Sequence, residues 1–211
     1  MFKKSCFVIL AALAFIQCKK DKQPEGPSPA PASTSNHYGL TIGSYWIYQS
    51  YNVDTLNNAV PVATLDSIYV RKDSVIRGQT YRVLTGPLYG MFTQNICRRD
   101  SSGWLVDERG RTFCDFKGIS LIHDTLMDPS MIFTSYERLN AGTTTRLTPA
   151  GSFVCLDAHQ TIHMVAVGYK VPSYRYTDSY YADGVGLVES TAFLVTQPSH
   201  LWRKLLRYHI N

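Results

Sequence analysis

The chain has 211 residues, 45% of them hydrophobic and 18% charged, with a formal net charge of +5. That apolar content excludes a disordered polymer, and the charge is scattered, without the clustered basic stripe of a nucleic-acid-binding protein, so nucleic acid is excluded as an expected partner. The longest unbroken apolar run is Cys6–Ile16, well short of the roughly 20 residues a membrane-spanning helix needs.

In chain order, Lys3 and Lys4 precede that apolar run, and Cys18 follows it, succeeded by Lys19-Lys20-Asp21-Lys22. A positive start, a short apolar core, a cysteine and a polar spacer are the parts of a secretory leader of the lipoprotein kind. Two cleavage points stay open. Ala12-Leu13-Ala14 fits ordinary small-x-small processing, which would release a chain beginning at Phe15. Cleavage before Cys18 would give an acylated protein, although Gln17 stands where a lipobox normally has a small residue. The Cys18–Lys22 run with its Pro/Ser spacer resembles lipoproteins of the Bacteroidetes type, whose lipoboxes are loose. The resemblance implies a signal peptide over 1–17, palmitate-type acylation of Cys18 and a place in the bacterial cell envelope. Lys19 directly after the cysteine implies the outer membrane, facing either the periplasm or the cell surface. Each buried acyl methylene contributes about 0.8 kcal/mol to such anchoring.

Residues 18–36 then form the lipidated cysteine and a tether. Pro24, Pro27, Pro29 and Pro31, interleaved with Ser, Ala and Thr, cannot build a core and favour an extended chain reaching at most roughly 55 Å. Residues 37–211 are of ordinary size for one domain.

Within that domain the alternation has period two and helical periodicity is nearly absent. Strands are expected over Ser44–Tyr51, Ala63–Val75, Thr80–Thr85, Thr93–Arg99, Trp104–Asp107 and Thr112–Phe116. Further strands are expected over Met131–Glu137, Phe153–Ala158, Thr161–Tyr169, Tyr174–Tyr181 and Val185–Val195. Turn residues separate them at Asn57-Asn58, Arg77-Gly78, Asp100 to Gly103, Arg109-Gly110, Asn140 to Gly142 and Asp183-Gly184. Leu201–Ile210 is compatible with helix or strand, and its β-rich context favours a strand with Trp202, Leu206, Tyr208 and Ile210 on one face. The pattern predicts an all-β single domain of about ten or more strands, with a sandwich, a barrel and a strongly curved antiparallel sheet or half-barrel all open to it.

Cys97, Cys114 and Cys155 are an odd set for disulfide pairing. A meander puts Cys97 and Cys114 two strands apart, about 9.5 Å, too far for a bridge that needs Cα atoms within about 7 Å. They read as small buried hydrophobes.

Asp157, His159 and His163 are the best metal-ligand candidates, because odd positions of one strand share a face and zinc accepts these types. The competing reading makes Gln160-Thr161 a turn and both histidines solvated. A metal-dependent hydrolase built on the three is the weaker alternative, since neither a CxxC pair nor a His-Glu-x-x-His helix accompanies them. A Gly-x-Ser-x-Gly elbow and a glycine-rich phosphate loop are both lacking, so the expected protein is not an enzyme and carries no cofactor. Tyr174, Tyr176 and Tyr180, with Arg175 among them, are the candidate ligand contacts, because tyrosine offers an apolar face and a hydroxyl. The same tyrosines also suit ordinary sheet packing.

Ile42-Gly43-Ser44-Tyr45-Trp46-Ile47-Tyr48 resembles the Gly-x-x-Trp-x-Tyr opening of a group of uncharacterised Bacteroidetes-type lipoproteins. Thr148-Pro149-Ala150-Gly151-Ser152-Phe153 resembles their Thr-x-Ala-Gly-x-Phe strand entry. Tyr180-Tyr181-Ala182-Asp183-Gly184-Val185-Gly186-Leu187-Val188 resembles their Tyr-x-Ala-x-Gly-Val-Gly-Leu-Val hairpin, and Arg203–Tyr208 fits their closing strand. The resemblance implies a curved antiparallel sheet somewhat similar to periplasmic carriers of lipoproteins and lipids, and it implies no activity. Physically, Gly184 suits a tight turn and Gly186 a strand that another backbone approaches closely. The expected function is a monomeric, membrane-anchored binding module for a hydrophobic, glycan or protein ligand; the alternative is a structural or assembly component of an envelope complex.

Overall fold

The computed structural model describes residues 36–90, 92–117, 122–127, 133–164, 174–194 and 197–211; Cys18 and the expected leader and tether fall outside them. Among the described residues twelve strands follow one another: β1 Tyr45–Val53, β2 Ala59–Ile76, β3 Gln79–Pro87, β4 Thr93–Ser101, β5 Trp104–Val106, β6 Thr112–Asp115, β7 Ile122–Met127, β8 Phe133–Thr148, β9 Gly151–Met164, β10 Tyr174–Ala182, β11 Gly186–Phe193 and β12 His200–His209. They form one antiparallel sheet in the order β6-β5-β4-β3-β2-β1-β12-β11-β10-β9-β8-β7. The first and last strands therefore meet at the centre, with Trp46 opposite Tyr208 and Ser50 opposite Arg203. β6 and β7, consecutive in the chain, are the two edges. The sheet curls strongly into a half-barrel, which decides among the all-β architectures that the alternation left open.

The turns explain why neighbours in sequence are neighbours in space. Arg77 and Gly78 join β2 to β3 with φ of 50° and 73°, and Ser102 and Gly103 join β4 to β5 with φ of 57° and 96°. Two-residue loops with both φ values positive match the right-handed twist of the flanking strands.

Three local expectations are corrected. Asn140 to Gly142 is not a turn but part of β8, where the register slips between Leu139 and Thr143; short polar and glycine residues accommodate a bulge without ending the strand. Gln160-Thr161 is not a break either, because β8 pairs with β9 straight through it, Glu137 with Gln160 and Tyr136 with Thr161. β7 had no signal, since neither alternate set of Ile122–Met127 is wholly apolar.

On β1 Trp46, Tyr48 and Ser50 face inward. Trp46 and Tyr48 pack with Ile68, Val70, Val188 and Leu205 in one buried cluster. Both side chains reach past β12: the Trp46 indole N–H donates to the Val185 carbonyl at 2.7 Å and the Tyr48 hydroxyl to the Leu187 carbonyl at 2.8 Å. On β12 the inward residues are Arg203 and Leu205, 3% and 0% exposed. Trp202 stands opposite Tyr51 on the other face, whereas beyond the register slip Tyr208 stands opposite the inward Trp46 and Ile210 packs on the same cluster, so the predicted apolar stripe is split between the two faces.

A second cluster joins the two wings of the sheet. It contains Tyr38 and Leu40 from the segment before β1, Leu105 and Cys114 from β5 and β6, and Leu156 and Tyr181 from β9 and β10. The Tyr38 hydroxyl donates to the carbonyls of Gly103 and Cys114, at 2.6 and 3.1 Å. On its other side the same segment is held by the Gly184 N–H, which donates to the His37 carbonyl at 2.8 Å. The segment around Tyr38 and Leu40 thus closes one end of the half-barrel.

Cys97 and Cys114 sit on the outer two of three consecutive strands, and all three domain cysteines are free. Burial pushes the Cys114 and Cys155 thiols up to about 12 and about 11, far from the thiolate state that makes a cysteine reactive.

Candidate functional site

The curl leaves space inside. Against β1–β3 lies a cavity of about 150 Å³, walled by Trp46, Tyr48, Ile68 and Leu84 and capped by Tyr38 and Leu40. Two charged side chains line it, Arg98 from β4 and Arg203 from β12. A wider, more polar recess of about 260 Å³ lies between Arg111 and Phe113 of the β6 edge and Ala158, Gln160, Thr177 and Ser179 of the opposite wing. Tyr181 lines both spaces. Native interiors hold few voids larger than a water molecule, and small barrels are usually filled by their own side chains. A half-open, mostly apolar space of this size is the feature of the inner face that packing alone does not require.

The cavity walls are well anchored. Tyr48 and Tyr181 are buried, and burial holds both phenols above their ordinary value, so they stay protonated donors. Asp66 lies on the same inner face and is fully buried. It accepts the Gly90 N–H at 2.8 Å and the Ser50 hydroxyl at 3.2 Å.

The residues singled out from the sequence lie on the other face of β9 and β10. Tyr174 and Tyr176 are 53% and 57% exposed. Their rings stack on His163 and His159, at centroid distances of 4.8 and 5.5 Å. His159 Nδ1 lies 2.6 Å from Asp178 Oδ1. Tyr180 lies under the Arg146 guanidinium, 4.1 Å from its ring centre, and burial pushes its phenol up to about 12. Arg175 points the opposite way. It is 7% exposed and donates to the carbonyls of Gln197 and Ser199 at 2.9 and 3.1 Å, holding the loop before β12. The aromatic that reaches the cavity is Tyr181, one residue past the stripe; its inward position follows from pairing with Leu156, a long-range contact invisible in the local pattern.

Asp157, His159 and His163 do share one face, on an unbroken β9. A strand rises about 3.3 Å per residue, so Asp157 and His163 are held roughly 20 Å apart along it. Among the described residues no three His, Cys, Asp or Glu side chains come together as a metal site, and the geometry of a single strand explains why these three do not.

Asp157 has a separate consequence. Its Oδ1 is buried without a hydrogen-bond partner, and burial first, then Asp178, raises its carboxyl above the ordinary 3.8. The folded state therefore binds this proton more tightly than the unfolded state, so the stability it carries is present at low pH and lost as pH rises above that ordinary value. Asp157→Asn is expected to raise the melting temperature at pH 7, with the gain vanishing below about pH 4; thermal melts of both proteins across that range measure it.

No family model and no curated protein matches the chain. Two solved structures are similar to it in fold. One is a Bacteroides fragilis protein described as exported and as having a YmcC-like fold: 13% identical, TM-score 0.54, covering 83% of this chain and 99% of that one. The other is a Parabacteroides distasonis protein described as a lipoprotein: 14% identical, TM-score 0.53, with the same coverage of 83% and 99%. Both come from the bacterial group whose lipoproteins the sequence resembles. At these identities the likeness is one of fold.

Proposed function

We propose that this chain is a lipid-anchored protein of the bacterial cell envelope whose half-barrel binds a small hydrophobic ligand without chemical turnover. The mostly apolar, half-open cavity of about 150 Å³ on the inner face of the sheet carries this reading. Apolar pockets with a few placed polar groups are the usual form of small-molecule sites, and barrel mouths are a frequent location. Cys18 supplies the anchor, in the outer membrane, and residues 19–36 let the domain range over roughly 55 Å from it.

Two measurements test this. Mass spectrometry of the mature protein is expected to find acylated Cys18 at the N-terminus; a chain beginning at Phe15 refutes the anchor. Native mass spectrometry of a Cys18→Ser chain, exported and purified without detergent after exposure to a lipid extract of the producing cells, is expected to retain an apolar molecule. Leu84→Trp, which fills the cavity, is expected to abolish that retention. Wild-type protein that emerges empty rules out the ligand.

The exposed Tyr174 and Tyr176 rings favour a second reading, a structural or assembly component that docks an envelope partner or glycan through its outer face. Under that reading a Tyr174→Ser, Tyr176→Ser protein loses partner capture while Leu84→Trp does not.

A further inference from the structure

Arg203 is where the interior departs from an apolar core. Its guanidinium lies between the rings of Tyr48 and Tyr89, 4.5 and 4.7 Å from their centres. Aromatic contacts of that kind answer the planar faces of a guanidinium. They leave its edge, which carries the N–H groups, still in need of acceptors.

On that edge Nε and Nη1 are buried and have no hydrogen-bond partner. The acid nearest to hand is Asp66, whose Oδ2 is 4.0 Å from Nη1, beyond hydrogen-bond reach. Asp66 is also committed elsewhere, to Gly90 and Ser50. A buried donor without an acceptor costs about 1–3 kcal/mol, more when charged, and arginine cannot shed its proton to escape that cost. Arg203 is 3% exposed and forms part of the cavity wall.

Arg98 adds a second cation to the same wall. It stacks 3.9 Å above the Phe113 ring and spends one donor on the Cys97 carbonyl at 2.8 Å. Among the described residues, no carboxylate lines the space. A cavity with apolar walls, two guanidinium groups and no lining acid is electrostatically complementary to an anion.

We propose that the cavity takes a small amphiphile bearing one negative charge, its carboxylate accepting from the Arg203 guanidinium and its apolar part lying against Trp46, Ile68 and Leu84. The proposal rests on the reading of the half-barrel as a binding module and specifies which ligands it selects. A single charge is favoured because Asp66, 4.0 Å from Arg203, already offsets part of the cation and would repel a dianion. The volume of about 150 Å³ sets a short chain, or the end of a longer one.

The test compares octanoate with octan-1-ol, which has the same chain length and no charge, by calorimetric titration of the full chain carrying Cys18→Ser at pH 7. Octanoate is expected to bind at least tenfold more tightly. That preference is expected to disappear in Arg203→Met, while Leu84→Trp removes binding of both. Equal affinity for the two probes overturns the anionic ligand and leaves the apolar cavity reading standing. Binding of neither overturns both. An undiminished octanoate preference in a folded Arg203→Met protein places the anion elsewhere and overturns the proposal. Should Arg203→Met fail to fold, Arg203→Lys decides: it keeps the charge but not the forked N–H edge, so octanoate affinity is expected to fall several-fold with octan-1-ol unchanged, and unchanged octanoate affinity counts against Arg203.

Discussion

Tyr38→Ala is expected to destabilise the domain by about 3–5 kcal/mol, the range for truncating a large buried aromatic, and so to remove a large part of the 5–15 kcal/mol typical of a folded domain. The residue is 2% exposed. Its ring packs edge-on against Tyr181 at 5.9 Å and against Phe116 at 5.2 Å. It thereby connects the β5–β6 wing to β10, which share no strand pairing. Tyr38→Phe separates the two contributions. It keeps the ring and leaves the carbonyls of Gly103 and Cys114 without the hydroxyl, at a cost of about 1–3 kcal/mol. Urea titrations of the three proteins measure both differences. A Tyr38→Ala loss below 1 kcal/mol would show that the segment before β1 is a passive cover. Because Tyr38 and Leu40 also cap the cavity, ligand retention should fall along with stability.

Gly186→Ala is the second large effect, expected at about 3 kcal/mol or more from two sources that act together. Its φ is +91°, a region that costs an L residue roughly 1–2 kcal/mol. A Cβ there would also lie 2.6 Å from the Tyr38 carbonyl oxygen, and backbone that is itself pinned cannot move aside, so an overpacking cost of about 1–3 kcal/mol is added. Gly184→Ala is the internal control. Its φ is +73°, but a Cβ there meets nothing within 4 Å, so only the conformational cost of about 1 kcal/mol remains. If the two alanine variants melt together, the close approach of Tyr38 to β11 is not a real constraint.

These two glycines also show how far a local pattern reaches. The Asp183-Gly184 turn and the need for a backbone to approach Gly186 were both legible in the Tyr180–Val188 motif, and the approach is there. Which backbone approaches was not legible, because Tyr38 is almost 150 residues away in the chain and nothing in a hairpin sequence names its distant partner. The same limit decided the candidate site. Tyr174, Tyr176 and Tyr180 stand out by composition, and the sheet places them outside; Arg203 does not stand out, because an arginine on a strand reads as solvated until the curl of the sheet encloses it.

By itself, the sequence determined the strand class and most of its turns, because period-two alternation and positive-φ loop residues are local demands of the backbone. It also determined that Cys97 and Cys114 are two strands apart, since a meander follows from short turns. The tertiary structure alone decided which face of each strand is inside, that β1 and β12 meet at the centre, and that the cavity there is lined by a guanidinium whose Nε and Nη1 have no hydrogen-bond partner. Burial is a property of how strands curve over one another, and that curvature depends on register slips and long-range contacts that a single stretch of sequence does not contain.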